Sequence, residues 1–193
     1  YDGNSYNLPT KDFFDAFNSN DQIRRDASIL DIDAFISSRN NPSAFSYTRG
    51  AGGHTCYYNN KYTGCLSEEG EGDHDLTNSV NYSVIRLADV LLMAAEAHNR
   101  SNNDGQALIY LNQVRARVNL APISPGGAAL TDAIWAERRF ELAGEGHRFF
   151  DLVRTGQAAT KINGFQVGKH ELFPIPQVEI DLAGGNWNQN SGY

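Results

Sequence analysis

With 193 residues, 40% of them hydrophobic, the chain can bury one sizeable core, and one domain is the working count. Its 23 acidic against 16 basic residues leave a formal charge of -7, and no Lys/Arg cluster could track phosphates, so nucleic acid is not an expected partner. No apolar stretch approaches the roughly 18 to 20 residues that span a bilayer, and the chain opens at Tyr1 with neither an initiator Met nor a signal peptide, for which processing or trimming is the expectation.

In chain order, Pro9-Thr10 ahead of Phe13, Phe14 and Phe17 predicts a first helix, capped by Thr10, with the rings on one face and Asp15 and Asn18 turned away. Residues 21–38 are ambiguous, and Ile29 to Phe35, which alternates at period two for part of its length, is read as a strand. From Arg39 to Leu76 apolar periodicity vanishes and Asn, Gly, Ser, Tyr and Glu dominate, which predicts a long loop region. Loops of such length are usually functional or disordered, and the tyrosines argue against full disorder.

Ile85, Ala88, Leu91, Leu92 and Ala95 recur at helical spacing, and Asp104 is expected to cap a second helix with Ala107, Leu111, Val114 and Val118 inward. The two make a helix hairpin. Ala94, Ala95 and Ala107 permit close approach, as in a tetratricopeptide-like pair, although no second copy of that repeat is visible. Pro122, Pro125, Gly126 and Gly127 form a linker to a helix expected from Leu130 to Ala143, which Gly144 and Gly146 break. A short helix from His147 to Arg154 ends at Gly156, and beyond Gly164 the chain reads as mostly irregular, with no helix running through Pro174 and Pro176.

Glu137, Glu141 and Glu145 lie four residues apart, so they share a helical face and could suggest the paired carboxylates of a glycosidase. Against this, Arg138, Arg148 and Arg154 can pair with them and keep them ionised, whereas a general acid needs a raised pKa. A structural ion network is therefore expected of Arg86, Asp89, Glu96, Glu137, Arg138, Glu141, Glu145, Arg148, Asp151 and Arg154. His54, Cys56, Cys65 and His74 have the residue types of a zinc site but not its tight ligand pairs, and the acidic run from Glu68 to Asp75 lacks the ligand rhythm of a calcium loop and reads as a solvated turn. No metal and no cofactor is expected. No nucleophile elbow or phosphate-cradling glycine loop is present either.

A flat aromatic flanked by amide donors suits the C–H face and hydroxyl rim of a sugar ring. Tyr47, His54, Tyr57, Tyr58 and Asn59 are the candidate carbohydrate-binding residues on that ground, and packing of the loop onto the helices is the alternative for each. Trp187, among Asn186, Asn188 and Gln189, has similar chemistry but is expected to pack the terminus.

The run Glu137-Arg138-Arg139-Phe140-Glu141-Leu142, continuing through Glu145-Gly146, Arg148, Asp151-Leu152 and Arg154, resembles the signature of the SusD/RagB family of outer-membrane glycan-binding lipoproteins. Ile85-Arg86-Leu87-Ala88-Asp89-Val90-Leu91-Leu92-Met93, then Leu111-Asn112-Gln113-Val114-Arg115-Ala116-Arg117, are similar to two further family helices. Phe173-Pro174-Ile175-Pro176 with Glu179-Ile180, and Gln189-Asn190-Ser191-Gly192-Tyr193, resemble its closing motifs, with Ser191 where proline is usual. Asp12 to Arg25 and Lys61-Tyr62 also resemble pieces that precede the signature.

The resemblance implies a mainly α, SusD-like fold with a tetratricopeptide-like hairpin and long irregular loops. Residues 1–193 would form a single carboxy-terminal domain, the family's amino-terminal half being absent. It further implies a non-catalytic oligosaccharide or polysaccharide binder on the cell surface. The lipid anchor would sit on the missing part, and the glycan would pass to a SusC-like TonB-dependent transporter for nutrient uptake. An oxidising setting would follow, in which Cys56 and Cys65 are a disulfide candidate. The alternatives are a glycoside hydrolase using Glu141 and Glu145, and a helical-repeat protein-binding module.

Overall fold

A computed structural model describes residues 7–44, 54–63 and 80–193, and the chain divides into two units, Tyr1–Glu145 and Gly146–Tyr193. In the first unit, Thr10 opens α1 (Lys11–Asp15), its Oγ1 accepting from the Phe13 N–H at 3.2 Å. The expected strand over residues 29–35 is shorter. The order is α2 (Gln22–Ser28), β1 (Ile29–Asp31) and α3 (Ile32–Ser37), because the Asp31 carboxylate accepts from the Ala34 N–H and caps a new helix. A 3-10 turn follows at Pro42–Ala44. β2 (Tyr57–Asn59) pairs antiparallel with β1, in the register Ile29 to Asn59, Leu30 to Tyr58 and Asp31 to Tyr57.

Three longer helices carry the larger core: α4 (Leu87–Arg100), α5 (Asp104–Arg117) and α6 (Gly127–Glu141). Ala88, Leu92 and Ala95 of α4 meet Ala107, Leu111 and Val114 of α5, and Leu130 and Ile134 of α6 close the cluster. The three alanines at the α4–α5 crossing, Ala88, Ala95 and Ala107, allow the hairpin to pack closely. Ile85 and Leu87 do not belong to this core, since α4 begins only at Leu87 and both side chains are exposed. Asp104 is not the cap of α5. Asn103 takes that place, accepting from the Gln106 N–H, while Asp104 accepts from the Gly127 N–H at 2.6 Å and from Asn99 Nδ2 at 2.7 Å, tying the start of α6 to the hairpin. Asn119, at φ 59°, stops α5 in the left-handed conformation that asparagine tolerates best after glycine.

A second, aromatic cluster joins Phe17, Ile29 and Tyr57 to Phe13, Phe14 and Phe140. Phe14 and Tyr57 stack at 4.5 Å, and Phe13 and Phe17 lie 6.0 and 4.8 Å from the Phe140 ring, so α1 and the small sheet rest on the last turn of α6. Beyond that turn the chain reverses at Gly144, where φ is +75° and an added Cβ would lie 2.5 Å from Asn59 Nδ2. Only glycine suits both demands.

The second unit holds α7 (Arg148–Arg154), α8 (Ala158–Lys161) and α9 (Gln177–Leu182). Gly156, at φ +71°, lies just beyond the end of α7, and Leu152 of α7 and Ala158 of α8 are the buried apolar residues of this unit. The closing motifs bind each other: Gln189 bonds both the N–H and the C=O of Ile175 at 2.8 Å, and Asn190 Nδ2 donates to the Phe173 carbonyl at 2.7 Å. Pro176 then starts α9, a helix in a stretch the sequence reads as irregular.

Candidate functional site

The inward stripe of α6 changes chemistry along its length. Leu130 and Ile134 serve the core, and the same face continues as Glu137 and Glu141, both buried. Glu141 has no exposed side-chain surface, and its Oε1 accepts from Arg86 Nη1 and Arg117 Nη2, each at 2.7 Å. Glu137 lies between Arg24 Nη1 at 2.5 Å and Arg115 Nη1 at 2.9 Å, and Arg24 also holds Asp21. Glu145 receives Arg86 Nε at 2.7 Å and Nη2 at 2.8 Å, together with the Lys61 ammonium.

Two of these cations also complete the helix. The Glu141 carbonyl, left without an intrahelical donor at the end of α6, accepts from Lys61 Nζ and Arg86 Nη2 at 2.6 Å each. Positive charge there also matches the negative end of the helix dipole. Burial alone would push the Glu141 and Glu145 carboxyls up. Hydrogen bonds from Arg86, supported by Arg117 at Glu141 and by Lys61 at Glu145, outweigh it and hold both below the usual carboxylate range. Burial pushes the Lys61 ammonium below its ordinary range, against the pull of Glu145. These are the states of fixed ion pairs, whereas a general acid needs its proton retained.

Beside the cluster lies a cavity of about 450 Å³. Ile23 and Ala27 of α2, with Val118 and Tyr62, are among its apolar lining. Asn60, Asn81, Ser83 and Arg117 add polar groups, and Lys61, Arg86, Glu141 and Glu145 present the cluster to it.

Of the expected network residues, Arg86, Glu137, Glu141 and Glu145 meet in this cluster. Arg138 pairs with Asp89 at 2.8 Å, both side chains buried, and Glu96 pairs with Arg100 one helical turn away. Asp151 and Arg154 pair within α7, where Arg148 is exposed. The direct partners of Glu137, Glu141 and Glu145 include Arg24, Lys61, Arg115 and Arg117, which the sequence reading did not place in the network. A signal was present in Val114-Arg115-Ala116-Arg117, which puts two guanidinium groups on the last turn of α5.

Of the carbohydrate candidates, Tyr57 is only 7% exposed and its face stacks on Phe14 within the aromatic cluster. Asn59 is committed as well, its Nδ2 donating to the Gly144 carbonyl at 3.0 Å and its Oδ1 accepting from the Lys61 N–H at 3.1 Å. Tyr58 points to the opposite face of β2, as strand alternation requires, with its half-buried ring 4.5 Å from that of His54. The His54 Nδ1 accepts from the Cys56 N–H at 2.8 Å, and Cys56 is buried. Tyr47, Cys65, His74 and the acidic run from Glu68 to Asp75 lie outside the described residues. Trp187 is 53% exposed, so it is not packed away as the sequence reading expects.

Comparison with solved structures finds the same fold in two proteins. Surface glycan-binding protein A from Bacteroides thetaiotaomicron, solved in complex with laminarihexaose, superposes with a TM-score of 0.80 at 30% identity, over 98% of this chain and 44% of that one. A laminarin binding SusD-like protein superposes with a TM-score of 0.73 at 37% identity, over 92% of this chain and 38% of the other. Among sequences, SusD-like protein P25 of Formosa agariphila is 44% identical over 86 residues, 41% of this chain and 16% of that protein. The chain thus spans under half the length of these relatives. The family model described as the SusD family matches residues 38–171, and the chain belongs to that family.

Proposed function

We propose that this chain is a portion of a surface lipoprotein of the outer membrane that captures an oligosaccharide without cleaving it and passes it to a SusC-like TonB-dependent transporter. The membrane attachment is a lipid anchor outside these 193 residues. The observation that carries this reading is the superposition of almost the whole chain on a glycan-binding protein solved with laminarihexaose. A second solved relative is named for binding laminarin, and a laminarin-type oligosaccharide is therefore the first ligand to try. The pairing of Glu141 and Glu145 with Arg86 supports holding a sugar over hydrolysing it, because neither carboxyl keeps the raised pKa of a general acid.

Calorimetric titration of laminarihexaose into the chain tests the reading, with a reducing-end assay on the same mixture. The expected outcome is saturable, modest binding with no new reducing ends. An open polar site gains little net energy from each exchanged hydrogen bond, which places affinity at roughly -4 to -6 kcal/mol. Release of reducing ends would establish the hydrolase alternative instead.

A further inference from the structure

We propose that the cavity beside the ionic cluster is a sugar subsite, holding a neutral pyranose unit among the apolar lining of Ile23, Val118 and Tyr62 and the polar groups of Asn60, Asn81, Ser83 and Arg117. This rests on the glycan-binding reading and assigns it a place in the chain. Its volume of about 450 Å³ falls within the roughly 300–1,000 Å³ of small-ligand pockets. Its apolar lining suits the C–H face of a ring, while the polar groups meet hydroxyls.

Charge argues for a neutral ligand. The four carboxylates of Asp21, Glu137, Glu141 and Glu145 answer the five cations Arg24, Lys61, Arg86, Arg115 and Arg117, so little net charge is left to select an anion. Hydrogen-bonding capacity nevertheless remains. Arg117 is 59% exposed along its side chain and commits one nitrogen, Nη2, to Glu141, and Asn81 and Ser83 are exposed at the cavity. The network also fixes Lys61 and Arg86 before any ligand arrives, which lowers the ordering cost of binding. The carboxylates that line the cavity stay ionised, so the subsite holds a sugar and transfers no proton to it.

Two variants block the cavity without removing a member of the network: Ala27→Trp on α2 and Ser83→Trp, both at exposed lining positions. Val90→Lys, on the outer face of α4, is the control. All three are titrated with laminarihexaose beside the parent chain, with melting temperature recorded for each. The subsite predicts at least a tenfold loss of affinity in both tryptophan variants and none in the control. In the parent, laminarihexaose is expected to shift the amide resonances of Asn60, Asn81 and Ser83, a readout that needs no variant to fold. If the parent binds, while the tryptophan variants bind equally well and those amides do not move, the subsite is overturned and the glycan-binding reading stands. If the parent binds neither laminarihexaose nor a panel of other neutral oligosaccharides, both fall.

Discussion

A carboxylate with no exposed side-chain surface survives at Glu141 because Arg86 and Arg117 hold one oxygen and Arg24 approaches the other at 3.5 Å. Glu141→Gln keeps the shape and deletes the charge, leaving guanidinium groups opposite a neutral amide. Breaking a buried pair in this way costs on the order of 3–5 kcal/mol. The expected result is a lower denaturant midpoint at an unchanged slope. A variant as stable as the parent would remove the structural role given to this side chain. The same group sets a pH response. Its folded pKa lies below the ordinary 4.5, as does that of Glu145, so the unfolded chain binds more protons just below that value. The stability they contribute is fully present above pH 4.5 and falls as pH drops through the folded values, and an acid titration of melting temperature should show that slope.

At the scale of the element, α4 is apolar on two faces, only one of which is buried. Ala88, Leu92 and Ala95 are core, whereas Leu87, Val90 and Met93 are 72%, 44% and 46% exposed. Leu92→Ala should cost about 2–5 kcal/mol through the cavity it leaves, while Val90→Lys should change stability by no more than about 0.5 kcal/mol. Chemical denaturation of the two variants separates the faces, and a large loss from Val90→Lys would mean that the outer face is packed.

The long helices were legible because an 11- to 18-residue window averages out local exceptions; the segment from Gln22 to Ser37 was not, since a helix, a strand and a helix succeed one another there within a few residues. The ionic site was half legible for a related reason. Helical spacing aligns Glu137 with Glu141 and puts Glu145 one turn further on, but the pairing of Arg24 with Glu137, or of Lys61 with Glu145, joins residues 113 and 84 positions apart. Local spacing carries no information about such contacts. The inward turn of Tyr57 is not legible in the sequence because the three-residue strand that makes it has no visible periodicity around it.

At the scale of the whole molecule, the two units differ in how much they bury. The α4–α5–α6 core contains Leu92, Ala95, Ala107, Leu111, Leu130 and Ile134 with no exposed surface, and the network of Glu137, Glu141 and Glu145 continues it. In Gly146–Tyr193, Leu152 and Ala158 are the buried apolar residues, while Phe150, Val167, Leu172, Phe173, Val178 and Leu182 are exposed. A unit of this size with so little buried surface has small stability of its own, because burial must offset roughly 1–2 kcal/mol of backbone entropy per ordered residue. Native-state hydrogen exchange should therefore find two levels of protection in this chain. Amides of α4, α5 and α6 exchange only on global unfolding, and those of α7, α8 and α9 exchange through a lower-energy opening. The difference should narrow as denaturant is added, because global unfolding exposes more surface and its free energy falls more steeply, until the second unit's amides merge with the global limit. Equal protection across both units from the outset would show that they unfold as one.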